Sequence, residues 1–80
     1  MAARHRIRRR WRTDWFRVLV DLYRVGWPTR RVAQHMGIPE PTLRGWKQGS
    51  EPPHCDGVRL LSLWCQETGA DADDRPMTDE

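Results

Sequence analysis

TRRVAQHMGIPEPTLRGWKQG, residues 29–49, holds two short amphipathic runs separated by a glycine-centred break. Ala33 lies four residues before Gly37, Ile38 follows that glycine, and Leu43 and Trp46 recur three residues apart. Apolar residues at this spacing share one face of a helix. Gly37 supplies the left-handed residue that ends the first run, and Pro39 keeps Ile38 extended. Thr29 is read as the N-cap of the first helix, which turns Val32, Ala33 and Met36 inward. Pro41 suits the first turn of the second helix, where a missing N–H costs nothing. That helix runs to about Gln48 and stops at Gly49. Two short helices crossing closely over such a turn form a helix-turn-helix.

Working outward, Trp27-Pro28 is a turn, and a longer helix precedes it. Thr13 is read as the cap of that helix and Asp14 as a favourable first-turn acid, with the end near Val25 and Gly26. Trp15, Val18, Leu19, Leu22 and Val25 share one face, and Phe16, Val20 and Tyr23 share another. Arg17, Asp21 and Arg24 form the one polar stripe, so this helix is expected to be central to the domain, the alternative being that its second face is lent to a partner subunit. Residues 50–53 are a loop. A fourth helix starts at Pro53 or Cys55 and ends at Thr68, before Gly69. Val58, Leu61, Trp64, Cys65 and Thr68 are expected inward, which leaves Leu60 and Leu63 for a subunit contact. The fold class is therefore all-α, a compact four-helix domain over residues 13–69. It lies between a flexible basic arm (1–12) and an acidic, disordered tail (70–80).

Eighty residues make one domain, with a core near the lower limit of independent stability. The net charge of +3 hides an asymmetry. Residues 1–49 hold 12 Lys/Arg against 3 acids, and residues 50–80 hold 2 against 8. A basic front half suits a polyanion such as nucleic acid. Cys55 and Cys65, ten residues apart on one helix, would be separated by about 15 Å, beyond disulfide reach. Reduced thiols fit a cytoplasmic setting. No apolar run approaches the ~18 residues of a membrane span, and no signal-peptide core follows the basic start. His5, His35, His54, Cys55 and Cys65 lack paired metal-ligand spacing. With no phosphate loop or carboxylate pair either, neither an enzyme nor a cofactor is expected.

The helix over residues 40–48 carries the expected contacts. Leu43 and Trp46 face the core, while Glu40, Arg44 and Gln48 form an i, i+4, i+8 line opposite, with Pro41 and Gly45 alongside. Arginine can donate twice to guanine, glutamine can pair bidentately with adenine, and glutamate can accept from cytosine. Glycine in a helix interior costs roughly 1 kcal/mol relative to alanine, which a close backbone approach to DNA would justify. Thr42 and Lys47 flank this face as phosphate contacts. Thr29, Arg30 and Arg31 sit at the preceding helix N-terminus, where backbone N–H groups and the helix dipole favour phosphate. Arg8, Arg9, Arg10 and Arg12 track phosphates or enter an adjacent minor groove. Of the five tryptophans, Trp15, Trp46 and Trp64 fall on core faces, which disfavours a single-strand stacking platform.

Ala33, Gly37-Ile38, Leu43 and Trp46 resemble the helix-turn-helix of the Cro and lambda-repressor class, and the Trp46…Gly49…Pro52 ending resembles small phage and prophage members. The likeness spans residues 14–69 and is most specific over 29–49. It implies major-groove binding by the third helix and transcriptional regulation in the bacterial cytoplasm at the nucleoid, often as a homodimer on an inverted repeat. Pro39 departs from the hydroxyl or amide cap common at that position. Two other readings remain open: an antiterminator-like RNA binder using the arginine arm, and an antitoxin or DNA-packaging adaptor whose acidic tail meets a protein partner.

Overall fold

The computed structural model describes residues 11–79. Four helices form the body: α1 (Trp15–Arg24), α2 (Thr29–Met36), α3 (Glu40–Lys47) and α4 (His54–Thr68). Two short strands, β1 (Trp11–Thr13) and β2 (Met77–Asp79), pair antiparallel, with Arg12 opposite Thr78. The expected four-helix domain is present, with a small ribbon added. α1 packs against α3 and α4, and α2 packs against α3. Their shared core joins Trp15, Val18, Leu19 and Leu22 to Val32, Ala33, Met36, Leu43, Trp46, Leu60, Leu63 and Trp64. Trp27 completes it from the α1–α2 turn, so four tryptophans are core residues, while Trp11 is exposed.

Several boundaries and faces differ from expectation. Thr13 belongs to β1, and its hydroxyl accepts from Arg75 Nε at 3.0 Å. The α1 cap therefore falls to Asp14, whose carboxylate accepts from the Arg17 N–H at 3.1 Å. Thr29 is the first helical residue rather than a cap. The chain turns at Pro28, whose carbonyl accepts from the Val32 N–H, and no side chain caps α2. Val25 lies past the end of α1 and is exposed. Phe16 and Tyr23 stay 53% and 67% exposed, so α1 is buried along one face and not all round.

α4 carries two apolar stripes at helical spacing that share Trp64, and the structure buries the one through Leu60 and Leu63, with Leu61 and Cys65 of the expected stripe partly buried against the core. Gly57, Leu60, Leu63 and Trp64 face the core, while Val58 is 49% exposed. The reason lies in α1. A Cβ at Gly57 would stand 3.2 Å from the Trp15 ring, tighter than ordinary contact, so the glycine lets that indole pack closely on α4. Trp64 Nε1 donates to Asp21 Oδ2 at 3.1 Å and locks the same side. Leu60 and Leu63 are thus core residues and not a subunit contact.

The end of the chain corrects the expected disordered tail. After Gly69 it forms a 3-10 turn at Ala72–Asp74 and then β2, and Pro76 O accepts from the Asp14 N–H at 2.9 Å. Acidic composition pointed to disorder, but three strand pairs and the Arg75–Thr13 bond hold the segment against the start of α1.

Candidate nucleic-acid interface

α2 and α3 meet through a turn built by local chemistry. Gly37 takes φ 73°, and the N–H groups of Gly37 and Ile38 both donate to Ala33 O, at 2.8 and 3.1 Å. Pro39 then directs the chain into α3 without a side-chain cap. Arg59, which the sequence reading missed, reaches across from α4 and donates to Met36 O at 3.0 Å. It satisfies a carbonyl at the negative end of the α2 dipole. No sequence signal marks this contact, because Met36 and Arg59 are far apart along the chain.

With Leu43 and Trp46 buried, the 100° step of a helix puts Pro41 and Gln48 at the outward apex of α3, with Arg44 and Gly45 beside them. Pro41, Thr42, Arg44 and Gln48 are exposed, and Glu40, Gly45 and Lys47 are half-buried at the margins. Arg44 Nη2 bonds Glu40 Oε2 at 2.7 Å, so the two charged residues of this face hold each other. An exposed i, i+4 pair is worth about 0.3–0.5 kcal/mol. A bidentate contact to a base discriminates by ~1–3 kcal/mol. The pair can therefore open in favour of a base contact at small cost.

Gly45 lies beside the loop that follows α3. Its carbonyl accepts from the Ser50 N–H at 2.9 Å, and an added Cβ would make only an ordinary 3.7 Å contact with Ser50 Oγ. Gly45→Ala should then fit and stabilise the fold by about 1 kcal/mol, read as a higher melting temperature. If backbone approach at this position matters, the same variant binds duplex less well. A stabilised variant with unchanged binding removes Gly45 from the contact set.

The expected phosphate contacts divide by what else they do. Arg30 is exposed at the start of α2, and Thr29 is half-buried beside it. Arg31 is committed to the fold. Its Nη1 donates to Gly26 O at 2.9 Å, and its guanidinium lies 3.8 Å over the Trp27 ring. Arg12 is likewise a tether, donating to Gly49 O at 3.2 Å and pairing with Glu51 at 2.9 Å. Lys47 borders a small hollow with Phe16, Arg12 and Thr78, where α3, α1 and the ribbon meet. Arg8, Arg9, Arg10 and His5 lie outside the described residues. Both cysteines are free thiols. Among the described residues no helix is long and apolar enough to cross a membrane.

Two helices crossing at a glycine turn, the second presenting a polar and cationic face, define the helix-turn-helix class of DNA-binding folds. The family model of the homeodomain-like domain matches residues 4–53, and the chain belongs to that helix-turn-helix family. The match covers the basic segment through α3, and α4 and the C-terminal strand lie beyond it. The helix-turn-helix part of the sequence resemblance is shown, with the homeodomain-like family as the matching one. Neither a curated protein nor a solved structure matches the chain.

Proposed function

We propose that this chain reads duplex DNA sequence-specifically, inserting α3 into the major groove as a transcriptional regulator of the phage or prophage kind. The observation that carries this reading is the exposed Pro41–Arg44–Gln48 face, opposite the buried Leu43 and Trp46 on a helix held by a glycine turn. Arg44 and Gln48 are the base readers, and Glu40, once released from Arg44, accepts from cytosine or rejects other bases. Thr29, Arg30, Thr42 and Lys47 contact phosphates around them.

Selection from random duplexes tests the proposal. An enriched motif supports it, and a pool with no enrichment ends it. The symmetry of the motif also reports copy number. Inverted half-sites about 34–36 Å apart indicate two copies on successive grooves, and one half-site indicates a single copy. Replacing Arg8, Arg9 and Arg10 together by glutamine should weaken all duplexes alike and flatten the dependence of log K on log salt by about two to three units. A salt slope equal to the parent's would show that this run makes no phosphate contact.

A further inference from the structure

α1 leaves an apolar stripe in solvent. Phe16 and Tyr23 are exposed and Val20 is half-buried, at spacing i, i+4 and i+7. Arg24 stands one turn beyond Val20 and holds no acid among the described residues. The outward face of α4 is apolar too. Val58, Leu61, Cys65 and Ala72 line a hollow of about 540 Å³, which continues past Val58 and Leu61 into one of about 400 Å³ at Pro53 and His54. Asp71 and Asp73 flank Ala72 in the chain, and Glu67 lies one turn before Asp71. These three carboxylates hold no cation among the described residues. The two faces lie on opposite sides of α1. At about 100° per residue from the buried row of Trp15, Val18, Leu19 and Leu22, Phe16 turns to one side, where it shares a hollow with Lys47 of α3. Asp21 turns to the other, where Trp64 of α4 holds it.

We infer that the α4 groove of one copy receives the α1 stripe of a second copy, so that copies bind head to tail along the duplex. The chain supplies both halves of this contact: an aromatic stripe beside a spare cation, and an apolar groove beside spare acids. Groove against groove matches charge less well, because Arg59 and Arg75 are already held on Met36 O and Thr13. Stripe against stripe leaves the acids unmatched. A contact between two different faces does not close on itself, so it suits direct repeats, whereas an inverted pair needs the same face on both copies. Phe16 and Tyr23 bring at most about 500 Å², short of the roughly 800 Å² per partner of a stable interface. The contact is therefore weak in free solution and takes effect where neighbouring sites raise the effective concentration. As a contact made on DNA it rests on the duplex-reading proposal.

The test uses the full chain and duplexes that carry the selected site twice, direct or inverted, at separations stepped through one helical turn. On direct repeats at the matching separation, the second copy should bind at least about fivefold more tightly than the first. Tyr23→Gln and Val58→Gln change exposed residues without changing charge. Each should reduce the coupling below about twofold while affinity for a single site holds. An equimolar mixture of the two variants should regain part of the coupling, since one keeps its groove and the other its stripe. Coupling lost with only one variant, confined to inverted repeats, not regained by the mixture or absent at every separation overturns the inference and leaves the duplex reading standing. A parent chain that selects no duplex overturns the duplex reading, and the contact is then read without DNA. At about 1 mM protein, the NMR amide shifts of Tyr23 and Val58 should both move with concentration. Shifts that stay fixed at either face overturn the inference too.

Discussion

Arg44→Ala is expected to weaken binding to the selected duplex by about 1–3 kcal/mol, roughly five- to 150-fold, and to relax preference at one base pair. Arg44 lies on the outward side of α3 and is more than half exposed, so its removal leaves no void in the core. The loss should come from binding and not from folding. Its ion pair with Glu40 adds only a few tenths of a kcal/mol to the free protein, which a melting curve would barely register. Arg44→Lys separates charge from geometry. Lysine keeps the charge but lacks the planar fork, so the salt dependence should persist while discrimination at that base pair falls. Parent-like affinity and base preference for Arg44→Ala would remove Arg44 from the reading face and leave Gln48 as its principal member.

Leu60→Ala should destabilise the domain by about 2–5 kcal/mol, measured by urea denaturation. Leu60 is fully buried where α4 joins the shared core, and truncation leaves a cavity that its neighbours cannot fill. A small domain holds only about 5–15 kcal/mol in total, commonly near the lower end, so a large part of the molecules could be unfolded at 37 °C. Val58→Ala, two residues earlier and half exposed, should cost about 0.5–1 kcal/mol or less. The two substitutions together decide which stripe of α4 faces inward. A larger loss at Val58 than at Leu60 would reverse the assignment.

The helix-turn-helix was readable from sequence to within a residue or two. Gly37, Pro39 and Pro41 act on their own backbone, and Val32, Ala33, Met36, Leu43 and Trp46 declare their faces by spacing alone. The outward face of α3 followed, because it is the complement of two buried residues on an eight-residue helix. Capping was misplaced by one residue at α1, since Thr13 and Asp14 are both competent caps. The choice between them depended on β2 engaging Thr13 from the other end of the chain. α4 was read correctly at Trp64 but misread at Leu60, Leu63 and Val58, because two stripes sharing Trp64 fit the same period, and Gly57 was the one signal that could have separated them. A glycine inside a helix, on the face of Leu60 and Trp64, marks close approach by a large side chain.

The sequence by itself determined the α2–α3 unit, the side of α3 that faces solvent and the division into a basic front and an acidic back. These rest on interactions within about one helical turn or on charge counts. Only the tertiary structure decided what individual arginines do. Arg12, Arg31, Arg59 and Arg75 are the same residue type, yet they end on Gly49, Gly26, Met36 and Thr13 respectively. Of these four contacts only that of Arg31 is local, although Arg75 also bonds Ala72 O and Arg59 also pairs with Asp56, each three residues away. Likewise the acidic composition of residues 70–79 argued for disorder, and strand pairing with residues more than sixty positions earlier overrode it. A backbone N–H or carbonyl takes its partner from whatever packing brings near, and local pattern does not carry that information.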